Sequence, residues 1–206
     1  MSPIDLRPLP VTRSPARRLS QLFAGLVLFG TSMAMQVRGG LGLNPWDVLH
    51  EGLSGRLSLS FGAVTAVTGG VVLLLWIPLR QRPGVGTVAN VVVIALAVDA
   101  ALAVIPVPAG PVARVALMLG GVVLNGVASA AYIGARLGPG PRDGLMTGLS
   151  ARTGRSIRLI RTGIEVTVLA AGWLLGGTVG VGTVLYALAI GPLTQAFLPL
   201  FAVRDR

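Results

Sequence analysis

Apolar residues gather in six long stretches, separated by short polar segments rich in glycine, proline and arginine. A helix needs roughly 20 mainly apolar residues to cross the hydrocarbon core of a bilayer. Each stretch approaches that length, and the fifth is the weakest because Arg161 and Glu165 lie in its first turns. We therefore predict an all-helical integral membrane protein with six transmembrane helices, at residues 19–37, 57–79, 86–107, 115–135, 159–177 and 183–203.

The chain also matches itself at a constant offset of 96 residues, the separation of Leu41 from Leu137. Between residues 41–60 and 137–156, ten of the twenty positions are identical, and most of these are Pro, Asp, Gly, Ser or Arg. Residues 84–88 recur letter for letter as residues 180–184. Chance similarity between apolar helices does not align polar residues at one offset, so we predict an internal repeat.

Each copy of the repeat contains three predicted spans. Because three is odd, the second copy must lie in the membrane with the opposite orientation, as in many secondary transporters. The predicted organisation is a basic tail over residues 1–18, a first repeat over 19–110 and a second over 111–206, all in one membrane domain. The first span corresponds to the internal fourth span, so we expect a retained helix and not a signal peptide.

A short helix is predicted after the first span of each copy. Residues 44–47 (Asn-Pro-Trp-Asp) place a capping residue, a proline and an acid where a helix favours them. Residues 140–143 (Gly-Pro-Arg-Asp) repeat the pattern with glycine at the cap. We expect the two helices to end near Gly55 and Gly154. About three turns cannot cross a bilayer, so each helix is either re-entrant or interfacial.

Charged residues make up only 12% of the chain and the mean hydropathy is +0.79, which argues against a water-soluble protein. The net charge of +10 arises from seventeen basic residues, all of them arginine. With both termini in the cytoplasm, only Arg38, Arg56 and Arg114 lie outside, as the positive-inside rule requires. We expect the other arginines to meet anionic lipid headgroups, and we expect no nucleic-acid partner.

The residues that most enzymes and metal sites need are scarce. The chain has no cysteine and one histidine, His50. We find no paired acid and base, activated nucleophile or phosphate-binding loop. The sequence therefore predicts no catalytic residues, no metal, no cofactor and no enzymatic activity.

Asp99 is the most conspicuous polar residue within a predicted span. A carboxylate at the centre of a membrane helix costs about 2.5–3.5 kcal/mol on insertion scales, which makes it a candidate functional group. Its counterpart in the second repeat is Gln195, and we predict that the two line one cavity. The alternative is that Asp99 lies near the outer face and meets water or Arg114.

The two short helices supply the remaining candidate residues. Asp47 and Asp143 either cap their own helices or bring two helix N-termini to the cavity, where they would bind or gate a polar or anionic solute. Trp46 and Arg142 occupy corresponding positions in the repeat and are also candidates for the cavity. The simpler interpretation is that Trp46 anchors the chain at the membrane interface and that Arg142 is one of the positive charges on the cytoplasmic side. Arg142 also lies next to Asp143, with which it could pair.

These motifs resemble the YczE/YitT-type bacterial multispanning membrane proteins, and YczE-like members most closely. The resemblance rests on residues 42–47, on residues 138–146 and on the two Val-Gly-Thr-Val stretches, and it covers nearly the whole chain after about residue 18. It implies a bacterial inner-membrane protein of about six helices, and it brings no settled substrate.

Two functions remain open from the sequence. The first is a small-solute transporter or exporter, with Asp99, Gln195 and the two short-helix starts around its cavity. The second is a non-transporting scaffold or regulatory partner that acts through the arginine-rich inner loop at residues 136–161. Assembly of identical copies is also left open.

Overall fold

The structure, a computed structural model, describes residues 8–10 and 12–203. The regular structure in these residues is helical, and it comprises eight helices. They are α1 (Pro15–Gly39), α2 (Pro45–Leu57), α3 (Phe61–Leu79), α4 (Val85–Val104), α5 (Pro111–Gly134), α6 (Pro141–Thr153), α7 (Ile157–Leu174) and α8 (Val181–Phe201). Much of the predicted basic tail, including Arg7, and the last two arginines, Arg204 and Arg206, lie outside the described residues.

Local capping groups set the helix starts, and they recur in both halves. Prolines open α1, α2, α5 and α6, while Ser60 and Ser156 cap α3 and α7 by accepting backbone N–H bonds. Thr87 and Thr183 accept from the backbone N–H of Gly84 and Gly180 at the starts of α4 and α8. As a result, each helix of the second half begins 96 residues after its counterpart in the first.

The predicted short helices are α2 and α6. Helix α6 closes at Gly154 in the left-handed conformation, as predicted. The predicted end at Gly55 is wrong, because α2 continues to Leu57 and closes at Ser58 with a φ of 54°. The Ser54 hydroxyl holds this turn by donating to the Leu59 carbonyl at 2.6 Å.

Helices α1 and α5 pack along each other in opposite directions at the centre of the fold. At one end, the buried Arg18 of α1 donates to the carbonyls of Ala135 and Arg136, just beyond α5. At the other end, Gly39 lies so close to α5 that an added methyl group would be 3.1 Å from the Arg114 carbonyl oxygen. Helices α1 and α5, which correspond to each other in the repeat, therefore run antiparallel.

Two reciprocal backbone hydrogen bonds link the halves. Gly86 at the start of α4 donates to the Leu137 carbonyl at 2.9 Å, and Gly182 at the start of α8 donates to the Leu41 carbonyl at 2.8 Å. The two donors, Gly86 and Gly182, are 96 residues apart, and so are the two acceptors, Leu41 and Leu137. The second half thus contacts the first as the first contacts the second.

Five helices are long and apolar enough to cross a membrane, namely α1, α3, α4, α5 and α8. Helix α7, which corresponds to the predicted fifth span, is not among them and carries Arg158, Arg161 and Glu165. Large apolar side chains cover much of the outside, among them Val104 at 81% exposure and Leu188 at 72%. Such a surface suits a lipid solvent.

The two halves differ where their last two helices meet. Helix α3 packs along α4, and an added methyl group at Gly62 would lie 2.1 Å from the Ala95 carbonyl oxygen. Their counterparts α7 and α8 make almost no contact with each other. We call these two helix pairs the α3–α4 seam and the α7–α8 seam; the first is closed and the second is open.

Candidate functional site

A cavity of about 310 Å³ lies between the two halves. All eight helices contribute to its lining, and many of the lining residues occur as pairs 96 positions apart. These pairs are Asn44 and Gly140, Pro45 and Pro141, Trp46 and Arg142, His50 and Met146, Thr65 and Arg161, Gly69 and Glu165, Asn90 and Tyr186, and Ile94 and Ile190. The same helix positions of both halves therefore face one shared space.

Trp46 and Arg142 contact each other in this cavity. The Arg142 guanidinium lies 4.8 Å from the centre of the Trp46 ring, within the range of a cation–π contact. Its Nη2 is 3.8 Å from Oδ1 of Asp47, too far for a hydrogen bond. The predicted alternative partner, Asp143, forms no ion pair with Arg142 among the described residues.

The N-terminus of α2 is closed by its own side chains. Asn44 Oδ1 accepts from the backbone N–H groups of Trp46 and Asp47, both at 3.1 Å, and its Nδ2 donates to Asp47 Oδ2 at 2.5 Å. The fully buried Asp47 also lies 3.2 Å from Nδ1 of His50. Burial lowers the pKa of His50, against the opposing effect of the Asp47 hydrogen bond. This carboxylate thus lies behind the cavity wall, and the predicted capping of the backbone N–H groups is performed by Asn44 and not by Asp47.

The N-terminus of α6 is open in comparison. Gly140 stands where α2 has Asn44, so no side chain caps the first N–H groups of α6. Trp76 fixes this end by donating to the Pro141 carbonyl at 3.0 Å. Asp143 faces the cavity and accepts from the Tyr132 hydroxyl at 3.2 Å. The surrounding protein raises the pKa of the Asp143 carboxyl by desolvation, and the Tyr132 bond opposes this shift.

The open seam adds a second arginine to the cavity. Arg161 donates to Glu165 at 2.8 Å and forms an ion pair with it along one helix face. Both side chains line the cavity, with 55% and 33% of their surfaces exposed. Opposite them, the Tyr186 hydroxyl donates to Asn125 Oδ1 at 2.9 Å, and Asn125 donates to Ser32 at 2.7 Å. Asn125 therefore links α5 to both α1 and α8 through polar contacts.

The structure brings together four of the six residues predicted for the site. Trp46, Arg142, Asp143 and Gln195 line the cavity. Asp47 lies beneath the surface of the lining, as described above. Their proximity follows from the antiparallel contact of the two halves.

Asp99 does not join its counterpart Gln195 in the cavity lining. Its carboxylate accepts from the Ser60 hydroxyl at 2.5 Å and from the Gly62 N–H at 2.7 Å. The physical reason is Gly62, which lets α4 approach the start of α3 closely enough for Asp99 to cap that helix. Asp99 therefore holds the α3–α4 seam together.

Sequence reasoning missed several cavity residues, including Tyr132, Tyr186 and Thr68. A signal was present in the repeat itself. Thr65 and Gly69 of α3 correspond to Arg161 and Glu165 of α7, so the second copy has charges where the first has small residues. Repeat positions that carry a small residue in one half and a charged residue in the other lie on α3, which packs against α4, and on α7, which makes almost no contact with α8.

A family model described as a family of unknown function, DUF6198, matches residues 16–199. An uncharacterized protein of Haemophilus influenzae is 38% identical over 90% of this chain and 85% of its own length. The uncharacterized membrane protein YczE of Bacillus subtilis is 32% identical over 86% of this chain and 83% of its own. The uncharacterized protein YyaS of the same species is 25% identical over 85% and 90%. No solved structure matches the chain.

Proposed function

The chain belongs to the DUF6198 family, with YczE-like membrane proteins among its relatives, and from this premise we propose that it transports or exports a small solute. It is a membrane protein with several apolar helices. The observation that supports transport is the shared cavity, which two oppositely directed halves line with corresponding residues. Solute sites of many secondary transporters lie at such a repeat interface. The proposal includes no enzymatic step.

The proposed architecture is a 3+3 inverted repeat with six spans. The equal spacing of helix starts, the antiparallel packing of α1 against α5 and the reciprocal bonds of Gly86 and Gly182 support it. In this architecture α7 is the fifth of the six spans, and Arg161 extends its side chain toward the inner headgroups. Both termini then lie on the cytoplasmic side of a bacterial inner membrane, where the arginines meet anionic lipids.

We further propose that α2 and α6 are re-entrant. Trp46, Asp47, Val48 and His50 of α2 are buried, and α2 packs against α3 and α7 instead of lying on the outside of the fold. Non-helical backbone at membrane depth is tolerated where protein or a water-filled cavity surrounds it. The contact between Trp46 and Arg142 then places the two helix starts on either side of the midplane.

The unequal seams suggest which way the cavity opens. In the proposed topology the closed α3–α4 seam, with Ser60 and Asp99, lies toward the outside. The open α7–α8 seam, with Arg158 and Gln195, lies toward the cytoplasm. The described conformation is therefore inward-facing, and transport requires the outer seam to open while the inner one closes.

The experiment exploits the absence of cysteine from the chain. A single cysteine replaces Asn90, which lines the cavity, and a membrane-impermeant methanethiosulfonate is added from either side of oriented vesicles. We expect labelling from both sides. The matched control is Val98→Cys on the same helix, which is 0% exposed and should react from neither side. Labelling of Asn90→Cys from one side only would overturn the transport proposal.

The scaffold alternative has one observation in its favour. Arg155 and Arg158 are exposed near the start of α7, and no ion pair engages them among the described residues. A scaffold would leave the cavity accessible from at most one side. It would also lose its partner when both arginines become glutamine, whereas the transport proposal expects that double variant to retain labelling from both sides.

A further inference from the structure

We propose that the cavity binds a small organic monocarboxylate, with its carboxylate held between the Arg142 guanidinium and the open N-terminus of α6. The proposal deepens the proposed function and rests on it. Three observations carry it: unused donors on Arg142, the contrast between the two short-helix starts, and the charges around them.

Arg142 presents a guanidinium whose donors are unused. The side chain lines the cavity with 28% of its surface exposed, and it makes no hydrogen bond to any residue that the structure describes. The guanidinium carbon lies 4.8 Å from the centre of the Trp46 ring, a contact that uses none of the N–H groups in a hydrogen bond. A guanidinium edge matches the two oxygens of a carboxylate, and this pairing is stronger than neutral hydrogen bonds.

The start of α6 supplies further donors to the same place. Asn44 occupies the first N–H groups of α2, whereas Gly140 leaves the corresponding groups of Arg142 and Asp143 without a side-chain cap. Helix N-termini favour anions. An independent observation comes from Trp46, a cavity-lining residue that is 7% exposed and whose buried indole N–H has no partner among the described residues. The same corner also holds a buried acceptor without a hydrogen-bond partner, Asp47 Oδ1, which lies 3.8 Å from Arg142 Nη2, so the Arg142 guanidinium and the Trp46 N–H are the donors that remain for a ligand.

The surrounding charges disfavour a ligand with two negative charges, because Asp47 lies 3.8 Å from Arg142 in addition to the acidic residues of the lining. Asp143 and Glu165 also line the cavity and would repel a dianion such as a phosphate group. The lining also includes apolar side chains that could contact an aliphatic chain, among them Phe29, Ile94 and Ile190. A volume of about 310 Å³ is at the lower end of small-molecule sites. A short aliphatic chain with one carboxylate meets all three conditions.

The test uses hexanoate as the probe, with the full chain in lipid nanodiscs and thermal unfolding followed by tryptophan fluorescence. We expect hexanoate to raise the melting temperature in a concentration-dependent way. The uncharged isostere hexanamide and inorganic phosphate should have no such effect. Equal stabilisation by hexanoate and hexanamide, or by phosphate, would overturn the proposal.

Two variants locate the effect. Arg142→Gln should weaken hexanoate binding at least tenfold, as expected for loss of a charge-assisted hydrogen bond. Gly140→Asn copies the cap of α2 onto α6 and should also weaken binding while Arg142 stays in place. Because the added Cβ would lie 3.2 Å from Asp143 Oδ2, the melting temperature of this variant without ligand is measured as well, and a value close to that of the parent shows that weaker binding does not reflect misfolding. The matched control Arg155→Gln removes an exposed arginine outside the cavity and should bind normally.

The outcomes separate this inference from the proposed function. If no variant changes hexanoate binding, or hexanoate does not bind, the carboxylate assignment fails while two-sided labelling of Asn90→Cys would still support transport. If hexanoate binds as predicted but labelling occurs from one side only, the ligand class stands and transport fails.

Discussion

The α3–α4 seam and the α7–α8 seam occupy corresponding places in the two halves, yet one is closed and the other open. Their helices begin 96 residues apart and carry the same serine caps. The difference lies in side-chain size and charge. Gly62 of α3 corresponds to Arg158 of α7, and the cap formed by Asp99 has only the uncharged Gln195 as its counterpart.

This contrast teaches that the repeat determines where helices begin and the unmatched residues determine how closely they pack. A glycine at position 62 permits backbone contact, while an arginine at position 158 does not. The capping contrast between Asn44 and Gly140 follows the same logic. In the first half, the side chains of Asp99 and Asn44 accept backbone N–H bonds at the starts of α3 and α2. In the second half, the corresponding Gln195 and Gly140 make no such bond among the described residues.

The largest expected effect comes from filling the closed seam. In Gly62→Ala, the added methyl group would lie 2.1 Å from the Ala95 carbonyl oxygen, so α3 and α4 must separate. We expect a loss of about 1–3 kcal/mol in the free energy of unfolding, measured by denaturant titration in mixed micelles. The control Gly70→Ala is on the same helix with nothing within 4 Å, and should be neutral or slightly stabilising. Equal results for the two variants would contradict the account of the seam.

A smaller effect is expected from the helix caps. Asn44→Ala removes the acceptor of two backbone N–H bonds and should lower the free energy of unfolding by about 1–2 kcal/mol. The corresponding Gly140→Ala has no side-chain cap to lose and a φ of −62° that alanine adopts freely, but its methyl group would lie 3.2 Å from Asp143 Oδ2, so we expect a loss below about 1 kcal/mol. The same denaturant titration measures both. A comparable loss in each variant would show that the two helix starts do not differ as described.

The starts of α2 and α6 could be predicted because their causes are local: a proline follows the capping position in each half, and the internal repeat doubled the signal. The starts of α1, α3 and α5 each lie four residues from the predicted ones, because apolar content alone does not locate the cap of a helix. The role of Asp99 could not be predicted in this way. Its carboxylate reaches Ser60 only because Gly62, on another helix and 37 positions away, removes the side chain that would have kept α4 apart. The cavity residues on α5 and α8 depend on the same packing between helices.

The smallest effect is expected at Asp99 itself. Asp99→Asn keeps the shape of the side chain but removes its charge, which should cost about 1 kcal/mol and loosen the closed seam. In the proposed topology, Asn90→Cys should then react faster from outside. As a control, Gln195→Ala alters the counterpart residue, which makes no hydrogen bond to the described residues, and should not change the outside rate. If the rate at which Asn90→Cys reacts from outside is unchanged in Asp99→Asn, the Asp99 carboxylate does not keep the outer seam closed.

The central claim is that two inverted copies enclose the cavity, and the sidedness of corresponding turns tests it most directly. Leu59 and Arg155 are exposed and lie 96 residues apart, after α2 and after α6. A single cysteine at each position is labelled with an impermeant thiol reagent in intact cells and in inverted vesicles. The account predicts that Leu59→Cys reacts only from outside and Arg155→Cys only from the cytoplasm. Labelling of both from the same side would contradict it.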